Sequence, residues 1–355
     1  MYPTLFNIPL INMPIRSYGL MLMIGFLGGT WWAARRGFRV KADPDSVVNL
    51  GFVALIMSII GARIFYVAHY WEQFAGRGLW NILNVSAGGM EFYGGLLGAF
   101  FGILVYLWKY KLSIRLYLDI LAPSLMFGMS MARIGCFLNG CCWGGPAPAE
   151  TPWAVHFPFG SSAQHRLWND RLSTVPAPLI IINDAGYAGL ILPELLQPHK
   201  EEPPLNTNLL RQEQRFDMSR EQLAALASHP TSRSIGIHPA QLYASINGMI
   251  LAILLNAIYY RRRRQGLVFG LLFIFYPLMR IVEELIRYDN PYDTAGLTIS
   301  QFVSVLLLVF GVIWLIGIYR QPLRSPRAIP FVFPDEPPPP AKSKSRKKSG
   351  QSSRS

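Results

Sequence analysis

Three arginines stand inside long apolar stretches: Arg63 in GARIFYV, Arg133 in MARIGCF and Arg280 in YPLMRIV. An arginine at the centre of a membrane helix costs about 2.5–3.5 kcal/mol on insertion scales, so each needs a partner or a ligand. The planar guanidinium fork binds phosphate oxygens two at a time. Within a bilayer the abundant phosphate is a phospholipid headgroup. Tyr276, Arg280, Glu284 and Arg287 recur at i, i+4, i+8 and i+11, which predicts one shared helix face. On that face Arg280 and Glu284 can pair, which lowers the cost of burying either. A structural ion pair would account for Glu284; for Arg280 a functional role is favoured.

The groups are carried by a chain unlike a soluble enzyme. Of 355 residues, 51% are hydrophobic and 15% charged, against about 25% charged in soluble domains. A bilayer takes about 20 residues of helix to cross. Seven stretches meet that, near Ser17–Ala34, Val47–His69, Gly89–Trp108, Leu116–Asn139, Pro239–Tyr260, Leu267–Arg287 and Thr298–Tyr319. The first is not read as a signal peptide, because only Arg16 precedes its apolar run. An eighth apolar stretch, Thr174–Leu196, is interrupted by Pro176, Pro178, Asn183, Asp184 and Pro193 and is left outside the bilayer.

Twenty Lys and Arg follow spans 1, 3, 5 and 7, against three in the short loops of opposite parity. The positive-inside rule therefore sets the N-terminus outside and the C-terminus in the cytoplasm. The expected fold is an all-α membrane protein with seven transmembrane helices and a long external segment between spans 4 and 5. It divides into residues 1–140, an external segment 141–237, residues 238–320 and a tail 321–355. Ser219 and Gln222 are spaced as a capping box ahead of Leu223, which predicts an amphipathic helix in the external segment. The tail, PDEPPPP followed by KSKSRKKSGQSSRS, reads as a disordered linker and a basic end resting on anionic lipid, not a nucleic-acid binder.

With that orientation Arg63, Arg133 and Arg280 all fall in the outer half of their spans. Glu91, Tyr93, Tyr18 and His238 lie at the outer ends of theirs. Gly28–Thr30 and the run GGMEFYGGLLG, Gly88–Gly98, allow helices to pack closely at this level. Cys136, Cys141 and Cys142 have no histidines at ligand spacing, so no metal is assigned; packing or an exofacial disulfide is expected. Leu138–Cys141 reads LNGC, a lipobox-like string, but it lies inside the chain at a span end.

Six motifs in order, IRSYGL (Ile15–Leu20), GARIFYV (Gly61–Val67), GGMEFYGGLLG (Gly88–Gly98), ARIGCFLNGCCWG (Ala132–Gly144), HPAQLYAS (His238–Ser245) and YPLMRIVEELIR (Tyr276–Arg287), resemble the prolipoprotein diacylglyceryl transferase family. The resemblance covers roughly residues 1–145 and 236–320. It implies a multi-pass enzyme of the bacterial inner membrane. Such an enzyme moves the diacylglyceryl group of phosphatidylglycerol to the lipobox cysteine of a preprolipoprotein and releases glycerol-1-phosphate, without a cofactor.

By the same resemblance Arg280, Tyr276 and Tyr93 are the candidate catalytic residues. Arg133, Arg63, Asn139, Gly140 and Tyr18 would hold phosphatidylglycerol, with Glu284, Arg287, His238, Gln241 and Tyr243 in support. The sequence departs from the family at five positions. Tyr93 stands where the family has a histidine and Glu91 where it has a serine. Cys136 replaces an asparagine, Cys141 an acidic residue and Ala244 another acid. A tyrosine with its ordinary pKa near 10 is a poor base, so the base is left open. Two other functions fit part of the pattern. A weakened relative could hold phosphatidylglycerol or lipoprotein precursors without turnover, and an anion or lipid permease could use the same arginines.

Overall fold

The computed structural model describes residues 4–8, 13–40, 42–76, 78–84, 88–182, 188–196, 218–288 and 296–321. The tail beyond Gln321 and part of the external segment, 197–217, lie outside these. Each of the seven apolar stretches is a long helix. In a chain-order numbering that includes the short helices, these are α1 (Ser17–Arg39), α2 (Pro44–His69), α5 (Phe92–Lys109), α6 (Ile114–Asn139), α9 (Ala240–Arg261), α10 (Leu267–Glu284) and α11 (Ile299–Tyr319). The short ones are α3 (Trp71–Phe74), α4 (Leu79–Leu83), α7 (Ser162–Asn169) and α8 (Arg220–Ser228).

Five of the long helices, α2, α5, α6, α9 and α11, are long and apolar enough to cross a membrane. Helix α10 concentrates Arg280, Glu283 and Glu284 in 18 residues. Helix α1 dilutes its apolar run with glycines, Thr30 and the Trp31–Trp32 pair. Both depart from simple apolarity for a reason visible in their packing, since α1 lies along α6, and α10 contacts α6, α9 and α11.

The helix ends follow local chemistry. Asp43 caps α2 by accepting from the Asp45 and Ser46 amides at 3.1 Å, with Pro44 in the first turn. Thr298 and Gln301 form a reciprocal capping box at α11. Gly140 stops α6 in the left-handed region, φ 82°, where a residue without a β-carbon is favoured. The glycine run does what its composition predicts. A β-carbon on Gly61 would strike the Gly94 carbonyl, and one on Gly98 the Met57 carbonyl, so α2 and α5 meet backbone to backbone.

At the end of the bundle away from Asn139, buried charge ties the helices together. Arg36 is fully buried and donates to the Ile120 carbonyl and to Asn256 Oδ1, both at 3.1 Å, and to Ser124. It sits inside α1, which runs on to Arg39, so it is not the loop charge that the positive-inside count took it for. Asp119 pairs with Arg262 at 2.9 Å and accepts from the Gly266 and Phe269 amides at 2.8 and 2.9 Å. A carboxylate there complements the positive end of α10.

Strands occur where the span reading foresees none. Thr4–Ile8 pairs antiparallel with Met13–Arg16, and Ile180–Ile182 with Ala188–Leu190. The apolar stretch Thr174–Leu196 is spent on a small core of its own: Val175, Leu179, Leu190, Ile191 and Leu196 pack with Phe159 and Leu223. Helix α8 in that core carries the expected Ser219–Gln222 capping box.

Candidate active site

Helix beginnings and helix ends alternate at one end of the bundle. Tyr18 at the start of α1 packs against Gly135 near the end of α6. The Glu91 amide, just before α5, donates to the Ala62 carbonyl of α2 at 3.1 Å. Asn247, early in α9, donates to Glu283 Oε1, late in α10, at 3.0 Å. The polar groups that the sequence distributes over six helices are therefore delivered to a common level.

Arg280 is buried and held from two sides. Its Nη2 lies 2.7 Å from Glu284 Oε2 and donates to Ser300 Oγ at 3.0 Å, and its Nη1 lies 3.8 Å from Glu283 Oε2. Glu284 is buried and accepts from the Thr298 hydroxyl at 2.8 Å. The capping residue of α11 thus also fixes the carboxylate that fixes Arg280. The expected pair forms, and the stripe holds through Tyr276, Arg280 and Glu284. Arg287 lies past the end of α10 at Glu284, so it leaves the helical stripe yet stays within electrostatic reach of Arg280. The Arg287 amide donates to the Glu284 carbonyl at 3.2 Å, and its backbone bridges to Gly144.

Arg133 is the exception among these cations. Among the described residues its guanidinium meets no hydrogen-bond acceptor and no carboxylate. It lines a cavity between α6, α9 and α10 together with Asn247, Gly248, Tyr276, Arg280 and Glu283. Tyr276 lies within electrostatic reach of both arginines and of Tyr93. Tyr93, exposed in the first turn of α5, is in reach of Arg280 and Glu284, and Tyr18 of Arg133. Arg133, Arg280, Tyr276, Tyr93 and Tyr18 therefore form one neighbourhood.

Arg63 stands apart. Its Nε donates to the Ile82 carbonyl at 2.7 Å, Nη1 to Gly88 and Gly89 at 2.8 and 2.9 Å, and Nη2 to Asn81 at 2.7 Å. Phe74 and Tyr66 flank the guanidinium. The fork expected for phosphate is occupied by carbonyls of the connection between α2 and α5.

The remaining residues build the frame after α6. Gln241 is fully buried and its amide donates to the Cys141 carbonyl at 2.8 Å. The Gly140 carbonyl accepts from Ser162 Oγ at 3.1 Å, and the Gly144 amide donates to the His238 carbonyl at 3.1 Å. Tyr243 accepts from Trp153 Nε1 at 2.7 Å and lies 3.3 Å from His238 Nδ1. Asn139 is exposed at the helix end, 3.8 Å from the Cys141 sulfur. The three cysteines are free thiols, so the disulfide entertained from the sequence is not formed. Sequence reasoning passed over Glu283, Asn247, Ser300 and Thr298. The signal for Asn247 and Glu283 was available, since both are polar residues in otherwise apolar helices.

Fold and site together define a mostly helical protein with five helices long and apolar enough to cross a membrane and a cavity among its helices lined by two arginines and a glutamate. A model of the prolipoprotein diacylglyceryl transferase family matches residues 3–317, and the chain belongs to that family of transferases. It is 28% identical over 337 residues to the phosphatidylglycerol–prolipoprotein diacylglyceryl transferase of Proteus mirabilis, covering 92% of this chain and 94% of that one. Against the enzymes of the same name from Serratia proteamaculans and Escherichia coli the identity is 29% in both. The first comparison covers 90% of this chain and 93% of the relative; the second covers 92% and 94%.

Proposed function

We propose that this protein transfers the diacylglyceryl group of phosphatidylglycerol to the lipobox cysteine of a prolipoprotein. It would do so from seven transmembrane helices, with the N-terminus and residues 141–237 outside the bacterial inner membrane and the tail 321–355 in the cytoplasm. The observation that carries the reading is Arg133, a cation within an apolar helix that lines a cavity with Arg280 and, among the described residues, has no hydrogen-bond acceptor or ion-pair partner. A phosphodiester supplies that partner. Family membership along nearly the whole chain favours turnover over a binding-only or permease role.

In the reaction a thiolate sulfur attacks the glycerol CH2 of the lipid. A carbon–sulfur bond forms, the carbon–oxygen bond to phosphate breaks, and its electron pair leaves on glycerol-1-phosphate. Negative charge builds on the departing phosphate, where Arg133 and Arg280 stabilise it. Glu284 and Ser300 hold Arg280 in place so that little reorganisation is needed. Tyr276 and Tyr93 offer hydroxyls to the headgroup, and Tyr18, Asn139 and Gly140 border its entry. The thiol proton needs an acceptor, and Glu283, the carboxylate that lines the cavity, is placed to take it where the family histidine is replaced by Tyr93. His238, Gln241, Tyr243 and Arg287 support the frame.

Complementation of a conditional transferase-depletion strain tests the whole reading. Rescue, with labelled diacylglyceryl appearing on a lipobox peptide in isolated membranes, is the expected result. Binding of phosphatidylglycerol without rescue or transfer would reduce the protein to a lipid-holding relative.

A further inference from the structure

Three thiols that no step of the transfer uses converge where α6 ends. Cys136 lies in the last turns of α6, three residues beyond Arg133 and on a neighbouring position of its surface. Gly140 then reverses the chain, and Cys142 takes a second left-handed conformation, φ 61°, which a residue with a β-carbon adopts reluctantly. The result is that all three sulfurs lie within 4.8 Å of one another. Cys136 is buried, and Cys141 and Cys142 are half-buried. Their backbone is clamped by Gln241 on the Cys141 carbonyl and Ser162 on the Gly140 carbonyl, at 2.8 and 3.1 Å. The thiols are therefore presented by a rigid corner built from α6, α7 and α9.

Thiolates bound to one small metal ion at about 2.3 Å stand roughly 4 Å apart. Small side-chain rotations bring the cluster to that spacing. Among the described residues no imidazole or carboxylate joins the group, so the donor set is all sulfur. Such a set discriminates against magnesium and calcium and selects soft cations. Three sulfur donors complete the shell of a three-coordinate monovalent ion, whereas tetrahedral zinc would need a fourth ligand such as water beside them. Three thiolates around one monovalent cation carry a net charge of two minus, and Arg133 and Arg287 both project positive potential onto Cys142. The surroundings are complementary to the loaded cluster.

We propose that Cys136, Cys141 and Cys142 form a three-thiolate site for a soft monovalent cation of the copper(I) class, beside the headgroup arginine. Binding exchanges thiol protons for the cation and involves no change of oxidation state. Resting on the transferase reading, a consequence follows: the loaded, anionic cluster competes with lipid phosphate for Arg133 and weakens phosphatidylglycerol binding.

The test uses the full chain in detergent micelles, reduced and desalted without oxygen, and titrated with copper(I) against a copper(I)-specific chelator. One ion per chain is expected, with near-ultraviolet thiolate-to-copper absorption. Cys141→Ser and Cys142→Ser should each lower the affinity at least tenfold while keeping the thermal midpoint and helical circular dichroism of the parent. Unchanged stoichiometry and affinity in both variants would overturn the site, as would zinc binding more tightly than copper(I). So would thiol titration of the reduced protein that finds only one reactive thiol. In the transfer assay copper(I) should raise the KM for phosphatidylglycerol in the parent and not in Cys142→Ser; equal inhibition of the two removes the link to Arg133. Absence of all transfer would count against the transferase reading alone, because the titration does not depend on it.

Discussion

Arg280 and Glu284 meet at 2.7 Å one helical turn apart on α10, and both are buried. The pair is completed from the next helix, where Ser300 accepts from the arginine and Thr298 donates to the carboxylate. Neither charge is free to find another geometry, which is what a preorganised cation beside a developing phosphate charge needs. Breaking a buried pair by deleting one partner costs about 3–5 kcal/mol. Glu284→Gln keeps an acceptor for Thr298 but removes the charge. It is expected to lower the thermal midpoint in micelles and to reduce transfer more than tenfold; a variant with unchanged midpoint and activity would make the pair incidental.

Arg133 and Arg63 should respond to lysine in opposite ways. Arg133→Lys keeps the charge and loses the bidentate fork. Its fold should be intact and its transfer reduced roughly tenfold to a hundredfold, the worth of one charge-assisted bond at about 1.5–3 kcal/mol. Arg63→Lys gives up most of the four contacts to the carbonyls of Asn81, Ile82, Gly88 and Gly89 in the connection between α2 and α5. The expected signature is a lower thermal midpoint and faster proteolysis of that connection, with the KM for phosphatidylglycerol little changed in the surviving protein.

In the proposed mechanism Tyr93 and Glu283 divide the work of the histidine that the resembled family carries at position 93. Tyr93→Phe removes one hydroxyl and should slow transfer by about tenfold to a hundredfold. Tyr93→His should be tolerated or improve turnover, because imidazole titrates near neutral pH. Glu283→Gln retains an acceptor for Asn247 while abolishing the base, so its kcat should fall far more than its KM rises. Labelled transfer at equal expression reads all three, and full activity in Glu283→Gln would send the proton elsewhere.

The glycine seam between α2 and α5 predicts a contrast in stability. Gly98→Ala places a methyl group on the Met57 carbonyl, with backbone on both sides and no flexible neighbour to yield. Overpacking of this kind costs about 1–3 kcal/mol, visible as a lower thermal midpoint. Gly317→Ala, where a β-carbon meets nothing within 4 Å, should be neutral or slightly stabilising. Equal midpoints would mean that the helices separate at no cost.

Orientation can be tested without activity. A topology reporter fused after Arg264 is expected to read cytoplasm and one inserted near Pro204 exterior. If both read the same side, the charge asymmetry does not set the topology of this chain.

Much of this protein is determined by sequence alone, because a bilayer simplifies the problem. Backbone groups that must satisfy themselves force apolar runs of this length into helices, so all seven long helices are legible from Ser17 to Tyr319. The pairing of Arg280 with Glu284 is local, one turn apart on one helix, and needs no tertiary information. What three-dimensional packing decided is which buried arginine is spent and which is available. Arg63, Arg133 and Arg280 look alike as residues in apolar helices, yet the acceptors that distinguish them come from other segments. Carbonyls of Asn81, Ile82, Gly88 and Gly89 consume Arg63, Ser300 of α11 steadies Arg280, and Arg133 lines the cavity with no such partner among the described residues. The thiol cluster is another product of packing. Cys136 and Cys142 are six residues apart along the chain, and only the left-handed turns at Gly140 and Cys142 fold the second sulfur back onto the helix that carries the first.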